Sequence, residues 1–356
     1  MEMAFHCDVV SWRTQADECD LTVRTSNGWL FNCHLDPLQF VQSTEMIDEY
    51  IKYLGKLQFD GDRTDDSSRK DACHSLLLPF RSLIAELAAP KIPLPTLTAS
   101  GRPTLSQYLF PQQVSCILND EDDDNHIQPI QVQDSQEYTW RASTLTLDDD
   151  SVKDLGRWTQ TFHPSKIEVC YDKPRHVLIK PPKRVMLIEP DGQSVTCFFK
   201  PFRESSGTAQ ANMELSAYRK MARAQRVPPH VQISKIYGLV RDGGVLLGML
   251  FPWIDKKEVL SRRLAKQSPP DLRRRWASQI ERSVETFHQH GVTWGDSKAD
   301  NVLIDKNDDA WVIGLGGSYD PGWVDPEMAA ILGEDEQGLW KIMEMLEMLD
   351  MDSLSV

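Results

Sequence analysis

An aspartate, a lysine and an asparagine stand at 296, 298 and 301 within Trp294-Gly295-Asp296-Ser297-Lys298-Ala299-Asp300-Asn301, a polar stretch that runs into the apolar Val302-Leu303-Ile304. That spacing suits phosphoryl transfer, which needs a carboxylate to orient a hydroxyl, a cation for the transferring phosphate and an amide oxygen for a metal. Asp and Asn also cap turns by accepting bonds from nearby backbone N–H groups, so the spacing by itself has a plain structural reading. Farther back, Lys200 ends the β-rich run Val195–Lys200, and Glu214 follows in a helical segment. As an ordinary surface ion pair the two would contribute about 0–1 kcal/mol.

The elements that must position these residues are legible around them. Leu272, Trp276, Ile280, Val284 and Phe287 recur at spacings of three and four, with charged residues opposite, which predicts a long helix ending at the glycine stop His290-Gly291. His288 and His290 close that helix and read as one packed ring and one C-terminal charge rather than a metal pair. Upstream, Lys166–Tyr171, Arg184–Glu189, Ser194–Phe199, Val231–Val240 and Val245–Phe251 read as strands, and Met213–Ala222 as a helix. Pro190-Asp191-Gly192 joins two of the strands as a hairpin turn. Near the end, Glu336–Leu349 reads as a helix whose Met343, Met345, Met348 and Met351 fill an irregular core or line a groove.

The N-terminal half has a different texture. Met46, Ile47, Tyr50, Ile51 and Leu54 recur at helical spacing after Thr44, and a second apolar stretch runs from Leu76 to Leu87. Asp60–Asp71, the Pro-rich Ala89–Pro103 and the acidic Asp120–Asp124 read as loops. Charge divides the same way. Of 39 basic and 53 acidic residues in the 356-residue chain, 13 and 26 fall in residues 1–165, so nearly all of the net −14 is N-terminal. An acidic surface repels phosphate backbones, which speaks against a nucleic-acid partner. No run of about 18 apolar residues suggests a membrane span, and no secretory leader is evident at Met1–Ser11. The seven scattered cysteines form no C-x-x-C pair and read as reduced thiols of a cytoplasmic protein.

The segment His290–Asp325, with WGDSKADNVLID, DAWVIGLGGSY and PGWVD, resembles the catalytic core of fungal protein-kinase-like proteins and, more distantly, aminoglycoside phosphotransferases. In that family WGD replaces the usual His-Arg-Asp. The resemblance extends back to about Ser165 and leaves the N-terminal half without a counterpart. It implies an α+β fold: a shortened bilobal kinase-like domain, with an N-lobe over 165–252 and a C-lobe over 253–356, beside an additional acidic α+β region over 1–164. It further implies Asp296 as the catalytic aspartate, Lys298 and Lys200 as phosphate contacts, Glu214 as the partner of Lys200, and Asn301 as a magnesium ligand. The strand ending at Phe251-Pro252-Trp253 would be the hinge, placing Met249 and Phe251 at the adenine of ATP.

Three departures stand against a fully working kinase. The Asp-Phe-Gly triplet, whose carboxylate binds magnesium, is Gly314-Leu315-Gly316; a metal contributes several kcal/mol to the transition state, and each 1.36 kcal/mol is about tenfold in rate. Asp300, Asp320 and Asp325 are the nearby substitutes. The β-region has no glycine-rich turn, only Asp172-Lys173-Pro174 and Pro181-Pro182, and proline lacks the N–H of a phosphate cradle. Lys173, Arg175, Lys180, Lys183 and Arg184 lie along this stretch and read as a solvated rim or as phosphate contacts. Finally, the short tail after Asp325 leaves room for one helix, with Asp335-Glu336-Gln337-Gly338 matching the helix that supports the catalytic loop. The sequence therefore predicts an ATP- and magnesium-dependent phosphotransferase-like protein, impaired or not, acting on a hydroxyl of a small-molecule or protein acceptor. The alternatives are a pseudokinase binding module and a cleft reused for metal- and ATP-free chemistry.

Overall fold

The computed structural model describes residues 5–40, 44–58, 66–89, 101–119, 128–132, 144–146, 153–189, 191–202, 207–224, 227–228, 230–317, 322–324 and 332–347. It is mixed α and β, in two compact units that interleave along the chain. Met1–Ala142 and Ser165–Val185 form the first, and Ser143–Pro164 and Met186–Val356 the second. The texture change at Ser165 thus coincides with one of the crossings between units, and Ser143–Pro164 belongs with the C-terminal part.

The first unit is built on a sheet of β1 (Cys7–Gln15), β2 (Glu18–Thr25), β3 (Trp29–Leu35), β4 (Gln112–Asn119) and β5 (Gln128–Val132), in that order. All neighbours are antiparallel except β3 and β4, which run parallel. A parallel pair needs a crossover, and this one carries α1 (Thr44–Gln58), α2 (Asp66–Leu77), α3 (Arg81–Leu87) and the short α4 (Leu105–Leu109). Leu21, Val23, Phe31, Cys33 and Cys116 of the sheet are buried with Tyr50, Leu54, Leu76, Phe80 and Ile84 of the helical layer. The helix expected after Thr44 is α1. The expected loop Asp60–Asp71 ends earlier than its polarity suggested, because α2 begins at Asp66. Its buried Ala72, Cys73, Leu76 and Leu77 all lie in the second half, so the first turns show no apolar stripe. Residues 59–65, 90–100 and 120–127 lie outside the described residues. Strand β8 (Ile167–Cys170) joins this unit through the bond from Val169 N to Pro103 O at 2.9 Å.

The second unit has a sheet in the order β7 (Gln160–Phe162), β11 (Gly238–Asp242), β12 (Val245–Pro252), β10 (Ser194–Pro201), β9 (Arg184–Ile188), with β6 (Leu145–Thr146) also on β12. Helix α5 (Gly207–Arg223) connects β10 to β11. A three-stranded sheet, β13 (Lys256–Val259), β14 (Val302–Asp305) and β15 (Ala310–Val312), follows with α6 (Arg262–Gln267), α7 (Pro270–Gln289) and α8 (Leu332–Met345). The apolar stripe of α7 is buried as its spacing predicts: Trp276, Ile280, Val284 and Phe287 are at most 3% exposed, each burial being worth about 1.5–3 kcal/mol. Helix α8 starts at Leu332, ahead of the expected Glu336, with Glu334 and Asp335 in its first turn, where acidic groups are stabilised by the positive end of the helix dipole. Met343 and Met345 of α8 are buried core; Met348 and Met351 lie outside the described residues.

The expected strand Val231–Val240 is a strand only from Gly238. Its first part runs beside β15 instead, where Ser234 N bonds Val312 O and Val312 N bonds Gln232 O, each at 3.0 Å. The buried side chains of Val231 and Ile233 gave that segment its strand-like pattern. No described helix is long and apolar enough to cross a membrane, and all seven cysteines are free thiols.

Candidate functional site

Lys200 lies near the end of β10, opposite Met249 of β12. Its amine pairs with the Glu214 carboxylate of α5. Glu214 is nearly buried, and one turn later the hydroxyl of Tyr218 accepts a bond from Leu315 N at 3.3 Å. Burial first, and then the nearby Glu214 charge, push the Tyr218 phenol well above its ordinary value, so it stays neutral. On the preceding turn, Gln210 Nε2 donates to Gly316 O at 2.7 Å. Helix α5 therefore bonds to the strand lysine and to the glycine-rich segment 314–317.

The loop bearing Asp296 is seated on α8. Asp335, fully buried, accepts from Trp294 N at 2.6 Å and from His288 Nε2 at 2.8 Å on one oxygen, and from Gly295 N at 2.9 Å on the other. Ser297 Oγ donates to Glu334 O at 3.0 Å, and the indole of Trp294 donates to Ile313 O at 2.8 Å. The stretch Asp335–Gly338 does support the loop, and close approach explains its glycine: a Cβ at Gly338 would stand 2.1 Å from Ser297 Oγ. His288 is committed to Asp335, while His290 Nδ1 bonds the Thr286 carbonyl at 2.8 Å.

At the loop's centre, Asp296 Oδ1 is 2.9 Å from Lys298 Nζ. Asn301 Nδ2 donates to Asp296 Oδ2 at 2.7 Å and to Asp296 O at 2.8 Å. The glycine segment packs on this group. A Cβ at Gly317 would come within 2.6 Å of Asp296 Cβ, and one at Gly314 would point at the Asn301 amide, 3.2 Å from Asn301 Nδ2. Gly314 and Gly316 both have positive φ, +78° and +66°, a region that L side chains other than Asn and Asp rarely visit. Asp296, Lys298 and Asn301 are thus one bonded cluster, and Lys200 and Glu214 are a second. The 314–317 backbone touches both.

The expected hinge residues have a different setting. Met249 and Phe251 are buried, and the Phe251 ring lies 4.8 Å from that of Tyr218. Position 252 is proline and has no N–H, and Trp253 N is spent on Thr196 O at 3.0 Å. The hinge donors that would face an adenine are accordingly missing at 252 and engaged at 253. A half-open hollow of about 400 Å³ is bounded by Ile233, Trp253, Asp255, Asp305 and Trp311, and is lined by none of Lys200, Glu214, Asp296, Lys298 and Asn301.

A magnesium ion is poorly provided for. Asn301 offers one oxygen, Gly314 none, and Asp300 sits exposed on a 3₁₀ turn. Among the described residues no group of three or more His, Cys, Asp or Glu side chains is placed to hold a metal. Asp320 and Asp325 lie outside the described residues. The proline-bearing stretch that stands where a glycine-rich turn would cover phosphates is packed into the first unit: Leu178 and Ile179 are buried, and Arg24 Nη1 donates to Leu178 O at 3.4 Å.

Sequence reasoning did not find Gln210 and Tyr218, which carry no motif, nor the packing role of Gly316 and Gly317. The Gly-Leu-Gly-Gly run itself was the available signal for close approach. The chain matches no family model and no curated protein.

Proposed function

We propose that the second unit is a shortened kinase-like domain and that the protein is an ATP-dependent phosphotransferase of curtailed activity, acting on a hydroxyl of a small molecule or protein. The observation that carries this reading is the linkage of two polar clusters, Lys200–Glu214 and Asp296–Lys298–Asn301, through one glycine-rich segment. The placing of α5 between β10 and β11, with β12 between those strands in the sheet, supports it as well. In this reading Asp296 orients the acceptor hydroxyl, and Lys298 and Lys200 stabilise the phosphate charge that develops in transfer. Glu214 holds the Lys200 amine in place. The described residues do not fit a magnesium site, so no step is assigned to a metal.

Calorimetric titration of the full chain with ATP, once with Mg²⁺ and once with EDTA, tests the reading. Saturable binding that is lost in Lys200→Ala supports it; absence of binding in both buffers overturns it. A second reading, a nucleotide-binding module without transfer, is favoured by Gly314, which leaves Asn301 without a carboxylate neighbour at that position. Binding without transfer to either a small-molecule or a protein acceptor panel would select it.

A further inference from the structure

Residues 153–164 lie far ahead of α5 in sequence, yet they fold into the same unit, and Asp154, Leu155 and Trp158 reach that helix. β6 pairs with β12, and β7 lies parallel to β11. Between them Asp154 and Leu155 open a helical turn, their carbonyls accepting from Arg157 N at 3.0 Å and Trp158 N at 3.1 Å. Leu155, 4% exposed, enters the buried cluster that holds Leu215, Tyr218 and Met221 of α5, and Trp158 packs at its edge. Asp154 faces the helix: Oδ1 is 2.5 Å from Arg223 Nη2, and Oδ2 is 3.6 Å from Arg219 Nη1. One carboxylate therefore spans two successive turns of α5.

The position of these turns gives the contact its meaning. At about 100° per residue, Arg219 lies roughly 140° around the helix from Glu214, so the Asp154 contact and the Lys200 contact hold different sides. The bond from Gln210 and the close approach of Gly316 fix the first half of α5. Asp154 braces the last turns, together with the buried Tyr218 and Met221 and the bond from Lys220 Nζ to Gly291 O at 3.1 Å. Releasing that brace lets the helix tilt about its held first half, and a tilt there changes the direction of the Glu214 carboxylate relative to Lys200. We infer that Asp154 is a positioning residue for the Lys200–Glu214 ion pair, acting through Arg219 and Arg223. This rests on the reading of Lys200 as the phosphate contact only for its consequence; the coupling itself needs no nucleotide.

The test is therefore made without one. The full chain is acylated with a water-soluble amine-reactive ester and the rate at Lys200 is read by peptide mass spectrometry, because an amine bound to a carboxylate is a poor nucleophile. Amide hydrogen exchange over 207–223 is measured in parallel. Glu214→Gln sets the scale by removing the carboxylate charge directly. Asp154→Ala is expected to raise the Lys200 rate about threefold and to speed exchange in α5. Asp154→Glu should restore both, as should the reversed set Asp154→Lys with Arg219→Glu and Arg223→Glu. The double variant Arg219→Ala/Arg223→Ala, which leaves Asp154 in place, should reproduce the Asp154→Ala rate. A wild-type Lys200 rate in Asp154→Ala, with a raised rate in Glu214→Gln, overturns the inference and leaves the functional reading standing. No change in Glu214→Gln means that the ion pair is not formed in solution and overturns both. Loss of ATP binding in the calorimetry with all these labelling results intact removes the function alone.

Discussion

Gly316 lies so close to Glu214 that a Cβ added to it would stand 2.9 Å from the Glu214 α-carbon and 3.1 Å from Met213 O. The helix bearing the acidic partner of Lys200 is thus seated directly on the segment that follows β15. Gly316→Ala must displace one of them, and the φ of +66° adds strain of about 1–2 kcal/mol. The expected result is a loss of roughly 2–3 kcal/mol in stability by denaturant unfolding and, on the proposed function, a fall of about tenfold or more in ATP affinity by calorimetry, equivalent to about 1.4 kcal/mol. Gly243→Ala is the control: its φ is +55° but nothing lies within 4 Å of its Cβ, so it should lose some stability and keep its affinity.

Asp335 should be the costliest polar side chain of the second unit to remove. Its loss strands two buried backbone donors, Trp294 N and Gly295 N, as well as His288. At about 1–3 kcal/mol for each unsatisfied group, Asp335→Ala should cost ~3 kcal/mol or more. At about 2–4 °C per kcal/mol, that is a fall of roughly 6–12 °C in Tm by scanning calorimetry. Asp335→Asn, which retains one acceptor oxygen, should lose about half as much. Equal losses in the two variants would contradict this account of the contact.

Gly314→Asp should create metal dependence. The new Cβ would point at the Asn301 amide from 3.2 Å, which places a carboxylate beside the Asn301 side-chain oxygen. The backbone there has φ +78°, a conformation that Asp tolerates better than most residues because its short polar side chain bonds locally. On the proposed function, ATP affinity in Mg²⁺ should exceed that in EDTA by about tenfold or more in this variant, with a smaller ratio in the native chain. Equal ratios in the two proteins would show that position 314 does not govern metal use.

The first unit should carry a pH-dependent contribution from His34. Its Nδ1 lies 2.8 Å from Asp20 Oδ1, and that bond raises the imidazole above its ordinary 6.5, against the opposing effect of partial burial. A group whose folded-state pKa is raised gives stability that is fully present below the unfolded value and is lost as pH rises through the folded one. The Tm difference between the native chain and His34→Gln should therefore be largest near about pH 5.5 and shrink at about pH 8.5. A difference that grows with pH would mean that His34 is held neutral.

Most of the local elements, and the residue types gathered in the polar loop, were legible along the chain. Periodicity placed α7 from Leu272 to Phe287, because a helix in a core needs one continuous apolar stripe, and the spacing of Asp296, Lys298 and Asn301 marked the loop that follows. That position 314 is a glycine and offers no carboxylate was equally plain, since it depends on residue identity alone. What touches what is a property of the fold. It seated the Asp296 loop on Asp335 and spent Trp253 N on Thr196. It took the backbone of residues 231–237 away from the strand their apolar pattern suggested, and it brought Asp154 to Arg219 and Arg223. These relations depend on pairs distant along the chain, and a surface carboxylate has the same local pattern whether it faces water or an arginine. The glycines at 314, 316 and 317 lie between the two cases: a run of small residues announces a close approach, and only the fold shows that its partners are Asn301, Glu214 and Asp296.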